Sequence, residues 1–148
     1  MQRAFFLCVI LVVLAGGAVA AQCKPTPGTP LDPGYTPASP KRANVGSGLV
    51  ITGTIRGSDD CSPLPGATVE FWLAGPKGYS LDLRGTVVAD KNGRYRFQCP
   101  FPGASSGGPP PHIHMAVTAD AFLPIETEVF PTKGSSTGTF DIVLEIGD

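Results

Sequence analysis

The only two histidines of the chain, His112 and His114, stand two residues apart in the run Pro109-Pro110-Pro111-His112-Ile113-His114-Met115-Ala116-Val117. An extended strand sends alternate side chains to opposite faces, so both imidazoles share one face and could converge on a single metal ion. Ile113, Met115 and Val117 then turn the other way, into a core. The three prolines cannot donate ladder N–H groups, which makes them a stiff rim ahead of the strand rather than a paired segment. A bare His-x-His pair is more often an exposed pair at a strand end, so the rest of the chain has to decide between the two readings.

The other groups with chemical capability read as structural. Asp59-Asp60 reads as a turn. Glu126 and Glu128, alternating with Thr127 and Val129, read as a solvated strand face. Cys99 beside the proline-rich turn reads as a half-cystine or a buried thiol. Ser105 and Ser106 lie in a Gly-rich stretch with no base fixed beside them, and no phosphate loop or nucleophile elbow is present.

The elements that would position the histidines are short β-type runs separated by turn residues: Leu49–Ile55, Ala67–Leu73, Thr86–Ala89, Arg94–Gln98, His112–Val117, Glu126–Phe130 and Thr139–Ile146. Val69, Phe71 and Leu73 alternate with Thr68, Glu70 and Trp72, and the turns carry Pro65-Gly66 and Asp90-Lys91-Asn92-Gly93. No helical periodicity is long enough to compete. The expected fold is all-β, a single β-sandwich of about seven or eight strands. Ahead of it Pro25, Pro27, Pro30, Pro33, Pro37 and Pro40 exclude helix and sheet alike and predict an extended arm.

Met1-Gln2-Arg3, the apolar run to Leu14 and the ending Ala18-Val19-Ala20 have the three parts of a secretory leader, with cleavage expected after Ala20. Three segments follow: a leader over 1–20, a proline-rich arm over 21–48 and a sandwich over 49–148. The leader takes Arg3 with it and leaves 128 residues carrying 10 basic and 12 acidic side chains, a net charge of −2. That length suits one domain. The balance offers no basic face for nucleic acid and no polybasic membrane anchor. The expected product is soluble and extracytoplasmic. Of its cysteines, Cys23, Cys61 and Cys99 form an odd set, so one bridge and one free thiol are expected. Cys23–Cys61 would pin the arm to the domain, and Cys61–Cys99 is the competing pair.

Taken in order, Val69-Glu70-Phe71-Trp72-Leu73-Ala74, Gly78-Tyr79, Arg84-Gly85, Asn92-Gly93-Arg94-Tyr95-Arg96-Phe97, Pro102-Gly103 and Pro110-Pro111-His112-Ile113-His114 resemble the intradiol ring-cleavage dioxygenases. The likeness runs over roughly residues 49–130. The arm from Cys23 to Arg42 is similar to the entry segment of the secreted, single-domain members. The scaffold stretch alone, from Gly53-Thr54-Ile55 to Tyr95-Arg96-Phe97, would fit a transthyretin-like or carboxypeptidase-regulatory-like sandwich with no chemistry.

The resemblance implies a mononuclear non-haem ferric iron, Fe(3+), held by two tyrosinates and two histidines, and cleavage of a catechol-type small molecule by O2. Residue by residue it implies His112, His114 and Tyr79 as metal ligands; hard phenolate and imidazole both suit the ion. The chain departs from the pattern at two places. Ser105 stands near the position of the second tyrosine, and Pro109 about where the family has an arginine. Tyr35 of the arm is a candidate replacement phenolate, whereas Tyr95 is expected to be fixed in a strand. The two losses also support an alternative, a catalytically degenerate sandwich that binds an aromatic, carbohydrate or protein ligand.

Overall fold

A computed structural model describes residues 23–32, 34–104 and 108–147. The expected leader and Ser105 lie outside the described residues. The described residues form eight strands: β1 (Leu49–Gly57), β2 (Thr68–Gly75), β3 (Gly78–Val88), β4 (Arg94–Cys99), β5 (Ile113–Thr118), β6 (Ile125–Val129), β7 (Thr137–Thr139) and β8 (Ile142–Leu144). They make two four-stranded sheets, so the all-β sandwich expectation holds.

The period-2 patterns decide which faces meet. In β1 every second residue is buried, from Leu49 through Ile51 to Ile55. Val69, Phe71 and Leu73 of β2 and Ile113, Met115 and Val117 of β5 turn inward in the same way. Phe71 stacks on Phe97 of β4 at 4.0 Å between ring centroids and joins the two sheets at the centre of the core. Burial of each such large apolar side chain contributes roughly 1.5–3 kcal/mol.

In the first sheet β1 pairs antiparallel with β4, and parallel with β7 and β8 along successive parts of its length. Between those two pairings Phe140 crosses close to Gly53, where a Cβ would lie 1.9 Å from its carbonyl oxygen. Only glycine admits that approach. The second sheet has the order β3-β2-β5-β6, all antiparallel.

Two predicted runs change. β3 begins at Gly78 rather than at Thr86, because its first residues are exposed and carry no buried alternation to read. The last run, Thr139–Ile146, divides into β7 and β8 around Phe140-Asp141, whose backbone N–H and carboxylate bond to Thr52 and Thr54 of β1.

The arm is an ordered strap. Backbone N–H groups of Cys23, Thr26 and Thr29 donate to Ser58, Val143 and Glu126 carbonyls, and that of Asp32 to the Glu126 carboxylate. These donors recur every third residue, the repeat of a polyproline II helix, so one side of a chain too proline-rich for a ladder faces the domain. The strap starts at the Cys23–Cys61 disulfide, passes β8 and β6, and crosses the outer face of the second sheet to reach Thr86 on β3.

Candidate metal centre

The outer face of the second sheet, under the strap, collects the polar members of the alternating runs. Trp72 of β2 pairs with His114 of β5, and His114 with Glu128 of β6; Glu126 lies one step along, opposite Ala116. His112 immediately precedes β5 and shares the His114 face. The β2–β3 register shifts between Trp72 and Ala74, so Ala74 faces Tyr79. That irregularity re-aims a tyrosine into the site, as bulges beside functional sites commonly do.

Three donor atoms meet. The Tyr79 hydroxyl lies 2.8 Å from His114 Nε2, and His112 Nε2 lies 3.0 Å from the same nitrogen. Asp32, carried by the strap, brings Oδ2 to 3.6 Å from it. The sequence expectation that Tyr79, His112 and His114 come together is therefore what the chain does.

The far side of the His112 ring is fixed by a hydrogen bond, and that of the His114 ring faces carboxylates. His112 Nδ1 lies 2.8 Å from the Pro110 carbonyl, which can only accept, so the proton is on Nδ1 and Nε2 presents a lone pair. His114 Nδ1 has no hydrogen-bond partner, but Glu128 Oε1 and Glu126 Oε1 stand at 3.5 and 3.9 Å from it. Carboxylates behind a histidine N–H are the usual support of a metal-ligating imidazole. The His114 ring is also clamped flat against Trp72, at 5.2 Å between centroids and 5° between planes. The Tyr79 oxygen and His112 Nε2 beside His114 Nε2, with a Glu128 carboxylate oxygen within 4.8 Å of a nitrogen of each histidine, make a donor set that fits a cation.

Electrostatics agree with that reading. Burial lowers the pKa of His114, Asp32 and Glu128 pull it up and His112 pushes it down, with a net shift down that favours the neutral ligand form. For Asp32 burial opposes ionisation, but the Trp72 indole N–H at 2.9 Å, the Gly34 N–H and the two histidines outweigh it and keep the carboxyl ionised. Burial first, then Asp32 and Glu128, raise the Tyr79 phenol. Glu126 is raised mainly by burial, and by Asp32 and Glu128 beside it.

The sequence reading missed part of this site. Glu126 and Glu128 are not a solvated face: Glu126 is buried and both carboxylates point at His114. Alternation alone gave their face, and only the strap and the neighbouring strand cover it. Asp32 and Trp72 were not picked out, although Trp72 shares the His face by its register. Tyr35, the proposed replacement phenolate, packs its ring on Trp72 at 5.1 Å instead. Tyr95 is fixed as expected, its hydroxyl donating to the Phe140 carbonyl. Cys23 pairs with Cys61, and Cys99 is a buried free thiol.

A cleft of about 370 Å³ opens onto the donors and is lined by small or rigid residues, among them Gly75, Gly103, Ala104 and Pro109 beside Tyr79 and His112. Phe130 places its ring 5.5 Å from that of His112. No lysine or arginine is among the described residues lining the cleft.

No protein-family model matches the chain. It is 29% identical over 130 residues to the catechol 1,2-dioxygenase of Acinetobacter baylyi, which covers 69% of this chain and 42% of that relative. To the chlorocatechol 1,2-dioxygenase of Pseudomonas sp. strain P51 it is 32% identical over 108 residues, 55% of this chain and 43% of the relative. The chain thus spans less than half the length of either relative. In fold it matches the dioxygenase domain of a dioxygenase–carbohydrate-binding protein fusion from Streptomyces sp. SirexAA-E, with a TM-score of 0.72 and 22% identity over 84% of this chain and 100% of that one. The proteins that this chain resembles in sequence and in fold, catechol, chlorocatechol and hydroxyquinol 1,2-dioxygenases, are intradiol ring-cleavage dioxygenases.

Proposed function

We propose that the chain is a secreted intradiol dioxygenase that holds one non-haem ferric ion on Tyr79, His112 and His114 and opens a catechol-type ring with O2. The observation that carries this reading is the meeting of the Tyr79 hydroxyl and His112 Nε2 at His114 Nε2, at 2.8 and 3.0 Å. Similarity to the 1,2-dioxygenases supports it, and the leader-like residues 1–20 with the Cys23–Cys61 bridge support export.

Each residue has a definable task. The Pro110 carbonyl holds the His112 tautomer, and Trp72 with the Glu126 and Glu128 carboxylates orients His114. Tyr79 keeps its proton on a raised pKa until a cation takes its place, and then becomes a phenolate donor. The small side chains of the cleft leave room for a planar ring, and Phe130 offers an aromatic surface beside His112. Ferric iron bound there would supply chelation of the two diol oxygens and activation of the ring toward O2. Both oxygen atoms enter the product, a muconate-type diacid.

The cleft lining favours a second reading, a non-catalytic binder of an aromatic, carbohydrate or protein ligand. Pro109 lines it where the resemblance implies an arginine, so nothing cationic from that position steadies a bound dianion. Purified protein should be loaded with ferric citrate, and iron content, visible absorption and oxygen uptake with catechol measured. One iron per chain, tyrosinate–iron colour and oxygen uptake are expected. Iron and colour without uptake would favour the binder, and failure to retain iron would overturn the metal reading itself.

A further inference from the structure

We propose that Glu128 completes a second donor set on the same two histidines: His112, His114 and Glu128 take a divalent transition ion, Zn(II) or Fe(II), without Tyr79. The inference goes beyond the ferric reading and stands separately from it. One donor atom of each of the three residues lies within 4.8 Å of those of the other two, and no other such group of histidine, cysteine, aspartate and glutamate side chains is found among the described residues. Two imidazoles and one carboxylate are the donors of three-ligand catalytic zinc sites and of non-haem Fe(II) sites.

The carboxylate faces both rings. Glu128 Oε1 is 3.9 Å from His112 Nε2, the nitrogen that the Pro110 contact at Nδ1 leaves with a lone pair, and 3.5 Å from His114 Nδ1. His114 is 4% exposed, and its Nδ1 has no hydrogen-bond partner. A buried ring nitrogen left in that state costs free energy until something binds beside it. A cation there meets the imidazoles and the carboxylate together. Tyr79 is placed at the other nitrogen of the ring, its hydroxyl 2.8 Å from Nε2. His114 therefore stands between a phenol, a hard donor suited to a trivalent ion, and a carboxylate that with two imidazoles suits a divalent one.

Of the acidic residues around the ring, Glu128 is the one with room to close on an ion. Its side chain is 25% exposed, whereas that of Glu126 is 6% exposed and accepts the Asp32 backbone N–H through Oε1 at 2.8 Å. Asp32 in turn is held by the Trp72 indole N–H at 2.9 Å. Glu128 lies directly opposite His114 in the β5–β6 register, so rotation about its side-chain bonds brings it to both imidazoles with the backbone unmoved.

Zinc titration of the metal-free protein against a chromophoric chelator tests this on the parent, Glu128→Gln, Glu126→Gln and Tyr79→Phe. The parent and Tyr79→Phe should each bind one Zn(II) per chain with equal affinity. Loss of a group that only orients a ligand costs about 10–100-fold, so Glu126→Gln should lose no more than that and Glu128→Gln should lose more. Glutamine keeps the size of the side chain, and matching thermal unfolding of the metal-free proteins checks that the fold is retained. Anomalous diffraction from zinc-loaded crystals should set the ion about 2.0–2.2 Å from a Glu128 oxygen. A loss in Glu128→Gln no larger than that in Glu126→Gln, an ion bonded to Tyr79 instead, or a parent that takes up no zinc overturns the inference. Ferric citrate loading of the same parent decides the ferric reading by itself: zinc uptake without iron uptake overturns that reading and leaves this one standing, and iron uptake with tyrosinate colour but no zinc does the reverse.

Discussion

The Nε2 atoms of His112 and His114 face each other at 3.0 Å while both rings have their Nδ1 sides turned to oxygen acceptors. Two lone pairs so placed repel unless a proton or a cation lies between them. The two histidines are therefore unequal when replaced. His112→Ala and His114→Ala should each abolish stoichiometric metal by elemental analysis. In the metal-free protein His112→Ala should leave stability nearly unchanged, whereas His114→Ala removes the buried ring stacked on Trp72 and should cost roughly 2–3 kcal/mol in a denaturant titration.

The strap is tied by a bridge that closes a 38-residue separation, and chain-entropy arguments give its loss a cost of about 4 kcal/mol. Cys23→Ser should lower the urea midpoint accordingly. Peptide mapping without reduction should recover Cys23 joined to Cys61. Cys99 should resist alkylation until the protein unfolds, because burial both hides the thiol and pushes its pKa up to about 12.

Asp90 holds the turn between β3 and β4, its Oδ1 accepting the N–H groups of Asn92 and Arg94 at 2.8 and 2.9 Å. The Arg94 and Asn92 bonds depress its pKa below the ordinary 3.8. A depressed carboxyl stabilises the fold above its unfolded pKa and loses that contribution as pH falls through the folded value. Asp90→Ala should thus be less stable than the parent at pH 7, and the gap should close in acid. A gap that stays constant from pH 7 down to pH 2, read by thermal melts, would falsify this role.

Pro109 lines the cleft beside His112 and Tyr79. An arginine there would set a cation where the bound diol carries its charge, and preorganised stabilisation of that kind is worth roughly 100–1,000-fold where it is native. Pro109→Arg should therefore raise catechol-dependent oxygen uptake of the iron-loaded protein by about tenfold or more, allowing for an unoptimised position. Oxygen electrode traces on parent and variant at equal iron content make the comparison.

The pairing of His112 with His114 on one face followed from a period of two, and so did the inward faces of β2 and β5. These are local regularities: a strand fixes the direction of each side chain relative to its neighbours, whatever the rest of the chain does. The odd cysteine count likewise predicted one bridge, and the proline density predicted a strap without ladder pairing.

What lay outside local reading was every relationship made across long separations. Asp32 reaches His114 only because the strap crosses three strands, and its contact with Glu126 spans 94 positions. Glu126 and Glu128 have the alternation of any solvated strand, and the strap and the neighbouring β5 bury the first and partly cover the second. Tyr79 enters through a register shift that no periodicity records. The sequence by itself determined the sandwich strands, the histidine face and the arm. The tertiary structure decided which acidic residues stand with those histidines, because a sheet register and a tethered strap set distances that a linear pattern does not contain.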